Sequence, residues 1–579
     1  MKAKIFTILF SCFLCSSVFA QTTLNVPEDG LPLNEFITEN HDTIAGTTYV
    51  LERGGYYVLS GSVGVVGDIT IMAENGDGAR PVIVMGTDDE GGSYGWGMFW
   101  LNGHITFRDL HIMGGNEDGG RGAWSNATLA NAGADKNVEI DNCVIDFGDG
   151  WLLNTENVPV RKLTLTNNLI RWSGYPGSGP WQGFGVIYKS GDIGEVYIEN
   201  NTWIECVAPI FTHENSNLRK FWFNHNTVVS HAQYLMRSEY WSEAFFMNNL
   251  FVDAHFAGES FDQRIGQDPD SLPYGVITIA SYGAEDTPPT GFPSENERIF
   301  FIGQNANYVS PLIKDFWDSP GFHDTIDWQV ADYTKGDNGF LNSRALAMVQ
   351  DSENYPYFMW DDELSIFTEN PEFVNYTFDA VNAVLFAKKI NGQASELPST
   401  AGGSWGVHPE PDFHMEEVAP DYYDLSYTNS KYLTAAHGGY PLGDLNWFPE
   451  LKEQWEDDPD RENYDDIVAK IKAGEWPLSF VTSVGNVGDA LPVRSTLHQN
   501  YPNPAGEFTT IPFTLTEPGN VRLRILNILG HQVMERSFNN LTAGHHEVVI
   551  VTGKLPAGMY IYQLETSDTR LVRKMNISK

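Results

Sequence analysis

Short apolar runs that alternate with polar positions dominate the chain from Gly54 onward, and Gly, Asn and Asp turns separate them. A period of two is typical of half-buried β-strands. Strong helical periodicity begins only after residue 445. There, the charged stretch 451–476 predicts one or two amphipathic helices that cap the open end of the strand region. The pattern therefore predicts a mostly β protein with one late helical segment.

Six of the runs share a core in which a polar turn residue precedes apolar residues. These turn residues are Asp109, Asn142, Asn168, Asn201, Asn226 and Asn249, spaced by 33, 26, 33, 25 and 23 residues. Self-similarity at this period is the signature of a solenoid built from stacked coils. An Asn at one turn of every coil can hydrogen-bond to the coils above and below, so the spacing predicts a ladder of stacked amides.

The stretch from about residue 45 to 310, with a first coil at 54–83 and a late coil at 299–310, resembles the right-handed parallel β-helix of the pectate-lyase-like superfamily. The resemblance implies an all-β chain whose main unit is a parallel β-helix. Lyases, hydrolases and inert surface proteins all occur in this superfamily, so the fold alone does not select a reaction.

A second β-rich unit begins near residue 490. Val521, Leu523 and Ile525 alternate with polar residues between Pro and Gly turns, which predicts a small Ig-like β-sandwich. QNYPNP at 499–504, NILGHQV at 527–533 and AGMYIYQL at 557–564 resemble the C-terminal sorting domain of type IX secretion cargo. The resemblance implies recognition by the type IX secretion machinery and export across the outer membrane, followed by release or surface attachment. The alternative is an Ig-like accessory domain with no sorting role.

The first twenty residues predict a signal peptide, because Lys2 and Lys4 precede an apolar stretch that ends at Ala20. The expected order is then a β-helix over 21–310, long loops wrapping it over 311–445, a short helical segment over 446–480, a linker over 481–495 and the sorting domain over 496–579. Cys143 and Cys206 are expected to be buried free thiols two coils apart.

The charge of the chain narrows the possible partners. Its 579 residues include 35 Lys and Arg against 76 Asp and Glu, a net charge of −41. Recognition of nucleic-acid phosphates needs clustered cations, so this balance argues against a nucleic-acid partner. No later stretch of about 18–20 apolar residues predicts a membrane span. We expect an exported monomer.

Four successive coils carry a polar residue at what the apolar alternation predicts to be one register position. These residues are Asn154, Lys189, His213 and Arg237, the last three separated by 24 and 24 residues. If Tyr188, Thr212 and Met236 point inward, the three cations share one outward column, with Lys189 and Arg237 about 10 Å apart. Such a cationic column predicts a binding site for an acidic polysaccharide.

This column predicts β-elimination on a uronic-acid polymer. Lys189 is the expected base for the C5 proton, Arg237 would hold the carboxylate, and His213 would donate a proton or exchange roles with Lys189. Asn215 and Glu239, two positions further along, could hold Ca²⁺ through their oxygens. The residues expected to contact the sugar are Asn154, Tyr175, Trp181, Tyr240 and Trp241.

Two other functions stay open at this point. Asp146 and Glu205 each lie four residues after a predicted ladder position, which would suit the acid and base of an inverting glycoside hydrolase about 10 Å apart. The third possibility is an adhesin or glycan-binding surface protein without catalysis.

Overall fold

The structure, a computed structural model, describes residues 21–578. The gaps are 89–96, 117–124, 130–135, 147–150, 155–157, 174–185, 190–191, 208, 260–271, 281–289, 320–329, 336, 362–364, 377–422, 476–495, 498–499, 501–503, 516–517, 528–530 and 567–569. The predicted signal peptide and linker lie outside the described residues. For some strand residues, including 125–129, 186–189, 212–216 and 237–240, only the backbone is described.

Long parallel sheets wind into coils with three faces, which confirms the predicted parallel β-helix. The first face consists of Val63–Val66, Phe99–Asn102, Ser125–Leu129, Trp151–Asn154, Val186–Lys189 and the beginnings of Phe211–Asn224 and Met236–Met247. The second face consists of Thr22–Val26, Thr47–Leu51, Ile69–Ala73, Ile105–Arg108, Lys136–Asp141, Val160–Thr166, Ile193–Glu199, the ends of the same two long strands, Ile299–Ile302 and Phe358–Trp360. The third face consists of Tyr56–Leu59, Val82–Met85, His111–Asn116, Val144–Asp146, Leu169–Arg171, Thr202–Ile204, Thr227–Val229, Leu250–Val252 and Ala306–Tyr308.

Alternate strand residues fill the interior of the coils. In Thr47–Leu51 the buried positions are Thr47, Tyr49 and Leu51, and parallel pairing stacks Tyr49 on Ile71 of the next coil. One continuous apolar core results. The helix α1 (Leu33–Asn40) adds Leu33 and Ile37 to this core at its N-terminal end, although the sequence predicted no helix there.

A ladder of asparagines occupies the turn between the second and third faces, as predicted. Its members are Asn168, Asn201, Asn226, Asn249 and Asn305, all buried. Each of the first four donates from its Nδ2 to Oδ1 of the next asparagine, over 2.9, 3.1, 3.1 and 2.9 Å. These shared amides fix the register of five successive coils.

The prediction was wrong for Asp109 and Asn142, which lie one position before the ladder. The residue in register with Asn168 is Cys143, whose backbone N–H donates to Asn168 Oδ1 at 2.9 Å. Asp109 and Asn142 adopt left-handed backbone angles, with φ of 59° and 52°. Asp and Asn tolerate the left-handed conformation, and Asn also suits the ladder position. The sequence alone therefore could not distinguish the left-handed turn position from the ladder position that follows it.

Residues 423–475, which we call the strap, lie against the outside of the coils. The strap contains the strand Asp424–Tyr427, which pairs with Phe373–Asn375, and the helices α4 (Pro449–Glu456) and α5 (Tyr464–Ala473). Short 3₁₀ turns lie at His437–Gly439 and Leu445–Trp447. Two further helices precede it, α2 (Pro311–Trp317) and α3 (Ser343–Gln350), with 3₁₀ turns at Glu295–Glu297 and Tyr333–Lys335.

The helices of the strap do not cap the open end of the coils, contrary to prediction. Ile467 and Ile471 of α5 pack against Trp222 and Phe245 on the outside of the second face. The coils also continue beyond the predicted boundary at residue 310, because Phe358–Trp360 pairs in parallel with the strand Ile299–Ile302. The apolar outer surface of the second face thus supplies the contact that the amphipathic helices need.

The C-terminal unit is an antiparallel sandwich. Thr496–Leu497, Phe508–Leu515 and Gly544–Val551 form one sheet, and Gly519–Asn527, Gln532–Leu541, Gly558–Glu565 and Arg570–Ile577 form the other. Val521, Leu523 and Ile525 are buried in its core, which confirms the predicted Ig-like architecture.

Cys143 and Cys206 are buried and free, as predicted. Burial raises the pKa of both thiols to about 12, so neither is a reactive thiolate. Among the residues that the structure describes, no helix is long and apolar enough to cross a membrane.

Candidate functional site

The three faces differ in how much of their outer surface is covered. Tyr423, Leu425 and Tyr432 of the strap pack on the outside of the third face. Helix α5 covers the second face from Trp222 onward. On the first face, by contrast, Val66 and Trp100 are 59% and 40% exposed. Val66 and Trp100 are thus exposed outer side chains on the early coils of the first face, whereas the strap covers later coils of the other two faces.

The predicted catalytic residues all lie on strands of this first face, but not in one column. The backbone pairs Lys189 with Glu214 and His213 with Tyr188. It pairs Arg237 with Thr212 and Ser238 with His213. The predicted shared register of Lys189, His213 and Arg237 is therefore wrong by one residue at each coil. Their side chains lie outside the described residues.

The error has a clear origin in the length of the coils. At the start of the three strands that carry these residues, successive coils are offset by 25 residues, since Ile187 pairs with Thr212 and Thr212 with Arg237. After an irregularity between His213 and Asn217, the offset falls to 23, as Asn217 and Tyr240 show. The sequence spacing of 24 averages these two values. A bulge of this kind cannot be seen from spacing alone, and bulges are frequent beside active sites.

The predicted sugar-contacting residues have separate outcomes. Asn154 is buried on the first face. Trp241 is also fully buried, within the core and 4.3 Å from the Phe221 ring, so its predicted contact with substrate is wrong. Tyr175 and Trp181 lie outside the described residues, as does the side chain of Tyr240.

The predicted calcium ligands, Asn215 and Glu239, fall at the bulge between the two long strands. Their side chains are outside the described part of the chain. Within the part that is described, no group of three or more His, Cys, Asp or Glu side chains is arranged to hold a metal ion.

Asp146 and Glu205 do not form the predicted hydrolase pair. Asp146 pairs in register with Arg171, which pairs with Ile204, so Glu205 is one position out of line. Arg171 also holds Asp146 through two hydrogen bonds, of 2.8 and 2.6 Å, inside the protein. Burial alone would raise the pKa of Asp146, but the charge and hydrogen bonds of Arg171 lower it to about 2. A carboxyl held ionised in this way is poorly suited to donate a proton.

We expect Asp146 to make the β-helix acid-sensitive. A carboxyl with a folded pKa of about 2 contributes stability above its ordinary pKa and loses it as the pH falls towards 2. The loss between pH 5 and pH 2 should be about 2 kcal/mol. Urea unfolding across this range, followed by tryptophan fluorescence, should show a shallower pH dependence for Asp146→Asn. Equal slopes for both proteins would contradict the assignment.

The exposed Trp100 was not singled out from the sequence. In the strand Phe99–Asn102, Phe99 and Leu101 are buried and Trp100 lies between them on the outer side. Parallel pairing aligns Trp100 with Thr128, and Thr128 with Asn154. The alternation of apolar residues in this short strand could have indicated that Trp100 faces outward. That alternation is no stronger than in the neighbouring strands, so it does not single out Trp100.

A family model described as a secretion system C-terminal sorting domain matches residues 499–578. The match coincides with the antiparallel sandwich and with the three motifs in the sequence. It indicates export, with secretion or attachment to the cell surface, and implies interaction with the type IX secretion machinery. Comparisons with curated proteins and with solved structures found no match.

Proposed function

We propose that this secreted protein is a polysaccharide lyase of the pectate-lyase-like type that cleaves a uronic-acid polymer by β-elimination on its first face. The observation that carries the proposal is that the strap covers outer positions of the second and third faces while Trp100 on the first remains exposed. A long polymer needs an uncovered row of coils, and the exposed Val66 and Trp100 support such a row beginning on the early coils of the first face.

The observed register supports revised roles for Lys189, His213 and Arg237. Lys189 lies two coils before Arg237 and two positions further along the strand. These register positions have the same parity and are separated by about 10 Å across coils and about 7 Å along the strand. Lys189 is proposed as the base for the C5 proton and Arg237 as the clamp on a carboxylate. His213 lies at the intervening position, on the opposite side of the strand by register, so we assign it no direct step. As Lys189 takes the C5 proton, the C4–C5 double bond forms and the C4–O4 bond breaks, and the leaving oxygen takes a proton from solvent.

The proposal is tested by the ultraviolet absorbance of unsaturated products across a panel of uronic-acid polymers. Lys189→Ala should lower the rate by about 10²–10⁴-fold, the usual contribution of a general base. His213→Ala should have a smaller effect. The matched control is Lys162→Ala, since Lys162 lies on the second face with its ammonium 4.2 Å from the Tyr197 ring; it should keep full activity.

The same assay, repeated with and without EDTA, tests the calcium prediction. New reducing ends without absorbance would indicate a hydrolase, and binding without either product would indicate a glycan-binding protein. Full lyase activity in Lys189→Ala would refute the assigned base.

A further inference from the structure

We infer that Trp100 is a stacking platform for a sugar ring at a distal subsite of the first face, so that the ligand is an extended oligosaccharide. The position of the reacting sugar rests on the proposed function, whereas the stacking contact at Trp100 does not depend on it. Trp100 is the one exposed tryptophan among the residues that the structure describes.

The surroundings of Trp100 leave room for a ligand. Its register partner on the preceding coil is Gly64, and a Cβ added there would meet no atom of the described residues within 4 Å. Val66, which lies two positions after Gly64 in the strand Val63–Val66, is exposed. A flat aromatic ring beside an empty position and an apolar neighbour can accept the apolar face of a pyranose.

The same register column leads from Trp100 to the proposed reacting region. Successive pairings connect it with Thr128, Asn154, Ile187, Thr212 and Arg237. Asn154 is therefore two coils, about 10 Å, from Trp100, and Arg237 is five coils, about 24 Å, away. A single sugar cannot bridge that distance, whereas a chain of several sugars lying across the coils can.

The structure distinguishes Trp100 from the other aromatics on the outside of the coils. Trp222 and Phe245 on the second face are covered by α5, and Trp172 on the third face is covered by Tyr423. Those rings complete a protein interface. Trp100 is instead 40% exposed, and among the described residues no such cover is seen, so its ring is available to an external partner.

The test compares the binding of a short and a long oligosaccharide. Isothermal titration of the full chain should show that Trp100→Ala weakens hexasaccharide binding about tenfold and leaves disaccharide binding unchanged. Trp100→Phe should recover part of the affinity. Leu312→Ala, which removes an exposed apolar side chain from helix α2 outside this patch, is the matched control and should bind as the parent protein does.

The design separates this inference from the proposed function. Neutral oligosaccharides are included because stacking does not need a carboxylate. Tryptophan-dependent binding of a neutral chain alone would support the Trp100 subsite and refute the uronic-acid substrate. Equal weakening of the short and long ligands, or unchanged hexasaccharide binding in Trp100→Ala, would overturn the subsite. So would a failure of the protein to bind any glycan in the panel.

Discussion

Replacing Glu462 by Ala should lower the free energy of unfolding by about 3–5 kcal/mol, because it leaves a buried charge without its partner. His225 Nε2 lies 3.1 Å from Glu462 Oε1, and its Nδ1 lies 3.1 Å from the Gly443 carbonyl oxygen. Both partners are acceptors, so the network assigns a proton to each ring nitrogen and a positive charge to His225. Neither side chain of the pair is exposed to solvent.

The rest of the network favours an ionised Glu462. Trp455 Nε1 donates to its second oxygen at 2.9 Å, and Asn248 Nδ2 donates to the first. Burial alone would raise the pKa of Glu462, but the hydrogen bond and charge of His225 outweigh it and lower the pKa. The pair therefore holds the strap to the turns of the coils as a satisfied, buried ion pair.

Tryptophan fluorescence during urea unfolding measures this effect on the β-helix and strap, because the sorting domain at 499–578 contains no tryptophan. The control Glu453→Ala removes an exposed carboxylate from helix α4, which supplies Trp455 to the network, and should change stability by less than about 0.5 kcal/mol. Hydrogen exchange should rise over the strap in Glu462→Ala. Replacing both His225 and Glu462 by Leu should cost less than the sum of the single changes, since no lone charge remains. An effect no larger than that of the control would refute the ion pair.

The period of the β-helix could be predicted because one residue type, Asn, repeats at one structural position. The prediction failed at Asn142, where the ladder position is Cys143 and carries no amide. The strap could not be placed from sequence, since its contacts join residues as distant as His225 and Glu462. Its helices were predicted, but amphipathicity shows only that one face is buried, not which surface buries it.

The candidate site was predictable at the level of strands but not of side-chain columns. Lys189, His213 and Arg237 do lie on neighbouring strands of one face, as the repeats indicated. Their register depends on the bulge after His213, and a slip of one residue moves a side chain to the opposite side of a strand. Trp241 illustrates the same sensitivity, because it was expected outside and is buried in the core.

Substituting Asn226 by Leu should cost about 3–6 kcal/mol, because it leaves several buried polar groups without partners. Asn226 Oδ1 accepts from the backbone N–H and the Nδ2 of Asn201, both at 3.1 Å. Asn226 Nδ2 donates to the carbonyl oxygens of Ile198 and Asn224 and to Asn249 Oδ1. Leucine has a similar size, so the expected loss comes from hydrogen bonding rather than from an empty cavity.

The matched control is Asn25→Leu, the same chemical change at an exposed position of the strand Thr22–Val26. It should alter the urea midpoint little, since no buried partner is lost. Hydrogen exchange distinguishes a local from a global effect: in Asn226→Leu, protection should fall first at the turns of Asn201 and Asn249, which share bonds with it. A loss below about 1 kcal/mol, near the net value of one ordinary hydrogen bond, would mean that apolar stacking alone aligns the coils. The hydrogen bonds of the ladder would then form in the aligned coils but contribute little to the stability of that alignment.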